Sequence, residues 1–243
     1  MLDSDAAKHL APTGTLRAGV VAAPAGSVFF CCRDTAGDAY GVTVDLMRAF
    51  ADTLKVPLAL QVYDNSGQVT DAVASGACDI AFMPRDSARE ARVDFGPSYF
   101  NIASTYLVPA GSAIRSIDEV NRPGVRIIGI SNTTTARSAR RTAPAATVEE
   151  VPSVDLLTAM ARSGQGDAFA LTHDSFTGLL PGLPGARVLP GHFQQVGVAV
   201  AVPRGRPDAL KAATALMQHA KETGLVRHAF DSAGFRDAEV AAA

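Results

Sequence analysis

The sequence predicts an α/β protein of two similar lobes, each a parallel or mixed sheet flanked by helices. Three observations predict it. Short apolar runs alternate with amphipathic segments, glycine or proline punctuates the junctions, and one pattern recurs. Ser75-Gly76-Ala77-Cys78-Asp79 and Ser163-Gly164-Gln165-Gly166-Asp167 share S-G-x-x-D, 88 positions apart, each between an amphipathic helix and an apolar run.

The elements follow in order. Leu16 to Val21 reads as a buried strand, followed by a loop with Pro24, Gly26, Cys31 and Cys32. Asp45 and its neighbours open a helix with Met47, Phe50, Ala51 and Leu54 on one face, stopped by Pro57. Leu58 to Val62 is a strand. Ser66 is expected to cap a helix bearing Val69, Ala72 and Val73, which Gly76 closes. Asp79 to Met83 is the next strand. The second lobe repeats this grammar: Val125 to Ile130 is a strand, and the hydroxyl-rich Ser131 to Thr135 leads into a helix carrying Arg137, Arg140 and Arg141. Ser153 caps a helix with Leu156, Leu157 and Met160 inward, Gly164 ends it, and Asp167 to Leu171 returns as a strand. Gln195 to Val202 is a further buried strand. Asp208 then caps a long helix with Leu210, Ala213, Leu216 or Met217, and Ala220 inward, ended by Gly224; Leu225 to Phe235 forms one more helix.

Composition narrows the function classes. The chain has 243 residues, 47% hydrophobic and 19% charged, which is a folded rather than a disordered composition. Its formal net charge of −2 gives no field that would draw nucleic acid or an anionic membrane. Enzyme signatures are missing: there is no G-x-S-x-G elbow, no G-x-x-x-x-G-K phosphate loop, no H-E-x-x-H and no paired C-x-x-C, so neither a metal nor a cofactor is expected. With no Trp and 6% aromatic residues, a pocket that stacks a sugar or nucleobase is disfavoured. Of the three cysteines, Cys31 and Cys32 are neighbours whose mutual bridge would be strained, leaving a pair with Cys78 as the only bridge to consider. The start, MLDSDAAKHLAPTG, has two acids, no basic leader and no apolar core, so it does not read as a secretory signal. Either processing has removed one or the protein is cytosolic.

In open α/β sheets ligands sit beyond the carboxyl ends of strands. The loop after Met83 is Pro84-Arg85-Asp86-Ser87-Ala88-Arg89-Glu90-Ala91-Arg92, followed by Val93-Asp94-Phe95-Gly96-Pro97-Ser98-Tyr99. An Arg six residues before a Phe, then Asp-Phe-[Ser/Gly]-x-x-Tyr, resembles the type II periplasmic solute-binding proteins, in particular the branch that delivers amino acids to ABC importers. Gly41-Val42-Thr43-Val44-Asp45-Leu46 resembles that family's entry to its first helix, and Asp167-Ala168 the start of its late strand; the resemblance runs from about Leu16 to Phe235.

The resemblance implies a two-lobed type II periplasmic-binding-protein fold with a hinge and an interlobe cleft, one lobe being residues 1–104 with 195–243 and the other residues 105–194. It makes Arg89 the residue that holds a ligand carboxylate, a role suited to a guanidinium's planar fork of donors; the opposing reading is a surface arginine paired with Glu90 or Asp86. Arg85 and Arg92 are expected to be solvated. In the second lobe it places Asn132, Thr133, Thr134 and Thr135 at a ligand-binding helix start, with Thr134 or Thr135 as the contact. It places Thr172, His173 and Asp174 near the family's acid for the ligand's ammonium, unless Asp174 caps the helix over Ser175 to Leu180. Two departures stand out. Pro84 occupies a position where the family has a Thr that helps hold the carboxylate, and Val21 to Pro24 reads V-A-A-P where an acid or aromatic would enclose the amine. Phe29, Phe30 or Tyr63 could substitute, or the ligand could be a carboxylate without an α-amine.

The expected function is therefore capture of a small amino acid or related carboxylate for an ABC-type importer, by a non-catalytic, monomeric, periplasmic protein that binds no nucleic acid. The competing readings are a cyclohexadienyl-dehydratase-like lyase on the same scaffold, with Asp174 or Asp86 as its acid, and a cytosolic small-molecule sensor.

Overall fold

The computed structural model describes residues 5–22, 27 and 29–242; the loop residues Pro24 and Gly26 and the first four residues lie outside these. The chain divides into two compact units. One comprises Met1–Ala22, Val28–Asn101 and Gly197–Ala243, the other Ala23–Ser27 and Ile102–Val196.

The first unit begins with α1 (Ala6–Leu10), whose five residues are too few to show a period in the sequence. The strand β1 (Leu16–Val21) follows, then a small hairpin of β2 (Cys32–Arg33) and β3 (Ala39–Tyr40). Helix α2 (Val42–Leu54) starts three residues before the expected Asp45. Val42, Thr43 and Val44 are buried there, so tertiary packing overrides the weaker helical preference of β-branched residues. After β4 (Leu58–Tyr63) comes α3 (Ser66–Ala74), whose cap is Asn65 and not Ser66: the Asn65 side chain accepts from Gly67 N at 2.9 Å and Gln68 N at 3.0 Å. The consequence is that Ser66 keeps its hydroxyl for other work. Gly76, at φ 75°, closes the helix as expected. The strand β5 (Ile80–Pro84), the single turn α4 (Ser87–Glu90) and the 16-residue strand β6 (Val93–Val108) complete this stretch. The sequence reading did not foresee β6. Gly96 and Pro97 lie inside it and break the alternation that would mark a strand.

In the second unit the order is β7 (Arg126–Ile130), α5 (Thr134–Thr142), β8 (Thr147–Val151), α6 (Val154–Arg162), β9 (Ala168–Thr172), α7 (His173–Leu179) and β10 (Arg187–Val188). Ser153 caps α6 by accepting from Leu156 N at 3.3 Å. Leu157 and Met160 point inward, but Leu156 is 43% exposed. Positions three and four apart share one helical face, so the period allows both leucines beside Met160, and packing takes only Leu157 into its cluster. The strand β11 (Gln194–Pro203) leads back to the first unit, where α8 (Pro207–Glu222) and α9 (Leu225–Ser232) lie. Asp208 is not the cap of α8. Pro207 takes the first helical position, where its missing N–H costs nothing, and Asp208 falls in the first turn.

Strands in the first unit run in the order β4-β1-β5-β11, with β1 parallel to β4 and β5 and β11 antiparallel to β5. In the second the order is β6-β9-β7-β8, with β7 parallel to β8 and β9 and β6 antiparallel to β9, while β10 pairs with β6. Ile128, Ile130, Phe169 and Leu171 pack on one face of this second sheet, Ile127, Ala168 and Ala170 on the other, the period of two that buries a parallel sheet on both sides. The same alternation separates the cysteines. On β1, Gly19 lies against Cys78, whereas its neighbour Val20 packs with Cys31 on the opposite face. A bridge from Cys31 to Cys78 would have to pass through the sheet, and the three cysteines are buried and form no disulfide among the described residues.

The shared S-G-x-x-D segments perform one task twice. Asp79 N donates to Arg17 O at 2.8 Å while Arg17 N donates to the Asp79 carboxylate; Asp167 N donates to Arg126 O at 2.9 Å while Arg126 N donates to the Asp167 carboxylate. Each aspartate thus docks the entry of one strand to the entry of its parallel neighbour. The registers agree as well: Ala18 faces Ile80 and Ile127 faces Ala168, one residue past each aspartate.

Candidate functional site

In the first unit the candidate site forms at the carboxyl end of β5. Pro84 ends the strand, opposite Val198 of β11. Asp86 then caps α4 by accepting from Arg89 N at 3.0 Å. This one turn folds Arg89 back toward the strand end, where Nη1 donates to Pro84 O at 2.6 Å and Nη2 donates to Ser66 Oγ at 2.7 Å. Arg89 is 2% exposed. It is not a surface arginine paired with Glu90, because Glu90 takes the Arg85 guanidinium at 2.5 Å. Arg85 and Arg92 carry exposed ion pairs, the latter with Asp71 at 2.7 Å, and such solvated pairs contribute little. Burying a guanidinium requires that its donors be met, and a carbonyl and a hydroxyl do so here. Pro84 lacks a side-chain donor and an amide hydrogen, yet it serves through its carbonyl.

Of the residues considered as substitutes for an aromatic wall, Phe29 is fully engaged. Its ring stacks on Phe235 at 3.7 Å and on Phe100 at 4.2 Å, so both faces are covered within the first unit's own core. Phe30 is buried as well. Tyr63 turns its hydroxyl to Gln61 Oε1 at 2.6 Å, and burial with the neighbouring Cys78 pushes its phenol up to about 12.

In the second unit β7 ends at Ile130, and Asn132 takes a left-handed φ of 60° that turns the chain into α5. Thr133 caps that helix: its hydroxyl accepts from Ala136 N at 3.1 Å and donates to Ile130 O at 2.7 Å. Thr134 and Thr135 are the first helical residues, and both are buried. Thr135 Oγ1 lies 3.1 Å from Ser104 Oγ of β6. Of the threonines weighed for this stretch, Thr133 takes the cap, and Thr134 and Thr135 follow it as the first helical residues.

Beyond β9, α7 starts at His173 with Thr172 at the cap position, so Asp174 lies inside the helix and does not cap it. Its carboxylate accepts from the buried Ser27 hydroxyl instead. Thr172 Oγ1 is 2.7 Å from Ser175 Oγ, and His173 is exposed. The repeat clarifies this arrangement. Asp174 is 88 positions after Asp86, and the two follow β9 and β5 equivalently, but Asp86 caps its helix while Asp174 is held by Ser27. Among the described residues no cluster of His, Cys, Asp or Glu could hold a metal ion. Sequence reasoning missed Ser66 and Ser27. For Ser66 a signal was present, since Asn65 directly before it is an equally good cap.

This arrangement of strand ends and helix starts is that of a solute-binding protein fold. Among solved structures, the receptor for L-cysteine of Neisseria gonorrhoeae matches with a TM-score of 0.82 at 19% identity, covering 94% of this chain and 92% of that one. An ancestral amino-acid-binding protein, described as a precursor of cyclohexadienyl dehydratase, matches with a TM-score of 0.78 at 23% identity over 93% and 97% of the two chains. Both are likenesses of fold, the type II periplasmic-binding-protein fold. Residues 20–232 match the bacterial extracellular solute-binding proteins, family 3, and the chain belongs to that family. It is 27% identical to the ABC transporter glutamine-binding protein of Bacillus subtilis (strain 168), over 60% of this chain and 53% of that protein. It is 29% identical to a glutamine-binding protein of Geobacillus stearothermophilus, over 54% and 47%. The match spans about half the length of these curated relatives.

Proposed function

We propose that this protein captures a small amino acid or related carboxylate in the periplasm and hands it to an ABC-type importer, as a monomer and without covalent chemistry. The ligand carboxylate sits on Arg89. The observation that carries this reading is a buried guanidinium fixed at the carboxyl end of β5 by Pro84 and Ser66, and the glutamine-binding relatives support it. Asn132, the helix start at Thr134 and Thr135, and the Thr172, His173 and Asp174 segment serve as further ligand contacts, the α5 amides favouring an anion and Asp174 a cation. Calorimetry against the common amino acids and small carboxylates tests the proposal. At least one should bind, and Arg89→Ala should weaken it about a hundredfold, since a charge-assisted contact with a buried cation is lost. No binding by any member, or an Arg89→Ala variant that binds equally well, would overturn it.

A further inference from the structure

We propose that Ser66 is itself a ligand-binding residue, donating its hydroxyl proton to the same carboxylate that Arg89 holds; this rests on the reading of Arg89 given above. The argument is one of valence. A serine hydroxyl has one proton and two lone pairs. In Ser66 a lone pair is taken by Arg89 Nη2, at 2.7 Å, so the proton points away from that nitrogen. Ser66 is 8% exposed, and among the described residues its hydroxyl makes no other hydrogen bond.

Two routine uses of this hydroxyl are closed. It does not cap α3, because Asn65 already accepts from Gly67 N and Gln68 N. Nor does it return to a carbonyl one turn back, as Thr70 does by donating to Ser66 O at 2.8 Å. What is left is a nearly buried donor beside a buried cation. A neutral acceptor would meet the proton alone, whereas a carboxylate would meet the proton and the charge together, one oxygen on the hydroxyl and one on the guanidinium. Pro84, which brings no side-chain donor of its own, leaves the hydroxyl of Ser66 as the second donor of the cradle. The ligand class is therefore a carboxylate with an unhindered syn face, and specificity against the corresponding amide is set here.

The test uses the full chain with L-glutamine, L-arginine, L-cysteine and acetate as probes. Binding by the wild type and by Ser66→Ala, Ser66→Thr and Arg89→Ala is measured by calorimetry, followed by a crystal structure with the tightest probe. Ser66→Ala should weaken that probe about 10- to 100-fold, and Ser66→Thr, which keeps a hydroxyl, should restore most of the loss. The bound structure should place a carboxylate oxygen within hydrogen-bond distance of Ser66 Oγ. If Arg89→Ala abolishes binding while Ser66→Ala binds like the wild type, or if the bound carboxylate lies out of reach of Ser66 Oγ, the inference is wrong and the Arg89 reading survives. If neither these probes nor any other common amino acid or small carboxylate binds the wild type, or Arg89→Ala has no effect, both fall together.

Discussion

Removing the Asp79 carboxylate and removing the Asp167 carboxylate should have unequal consequences, although the two aspartates occupy equivalent places in the repeat. Asp79 is fully buried. It receives Arg17 Nε at 2.8 Å, Arg17 Nη2 at 2.7 Å and Arg17 N at 3.2 Å, with Arg206 Nη1 a further 3.5 Å away. This contact raises the Arg17 guanidinium's pKa further above its ordinary value. Asp167 is exposed and among the described residues receives only the Arg126 amide, because the Arg126 guanidinium turns to Glu149 at 2.9 Å. Asp79→Ala leaves a half-buried amide without its acceptor and removes the carboxylate that two guanidinium groups share. The arginine side chain keeps 31% exposure, so the cost falls at the lower end of that for a broken buried pair, about 3 kcal/mol. Asp167→Ala loses one solvent-accessible hydrogen bond, about 1 kcal/mol. For a chain of this length those losses correspond to falls in melting temperature of roughly 6–12 °C and 2–4 °C. Calorimetric melting of both variants beside the wild type reads the difference directly. Equal losses would refute the claim that burial, and not the shared hydrogen-bond pattern, sets the strength of the contact.

Two further outcomes are expected. Gly197→Ala would place a Cβ 2.2 Å from Ser98 Oγ and 2.9 Å from Ser98 Cβ, and should cost about 1–3 kcal/mol in urea denaturation, with Ser98→Gly restoring it; no loss would mean that β11 can shift at that point. Burial holds the phenols of Tyr63 and Tyr106 at about 12, above the value near 10 of an unfolded chain. Between those values the unfolded state has released its proton and the folded state has not, so the stabilisation is complete below about pH 10 and is lost as pH rises toward 12. Tyr106→Phe should flatten that decline, and an unchanged slope in denaturation midpoint against pH would count against the buried phenol as its source.

The strands β1, β4, β5, β7, β9 and β11 and the helices between them were legible because apolar periodicity and capping residues are local signals. The S-G-x-x-D repeat was legible for the same reason, and Arg89 was picked out by the family resemblance, as the arginine six residues before Phe95. The strand β6 escaped notice because Gly96 and Pro97 interrupt its pattern, and its pairing partners β9 and β11 lie about 60 to 100 residues further along. The partners of each site residue were equally hidden. That Asn65 and not Ser66 caps α3 goes with the Ser66 hydroxyl meeting Arg89 across 23 positions, and Ser27 meets Asp174 across 147. The sequence by itself determined the order of elements, the repeat and the residue types available at the strand ends, because each is fixed by neighbours within a few positions. Only the tertiary structure decided that Arg89 is buried, that Phe29 is spent on Phe100 and Phe235, and that the thiols stay apart. Those outcomes depend on which face of a sheet or helix a side chain meets at long range, where desolvation and geometry choose among partners that local pattern leaves equal.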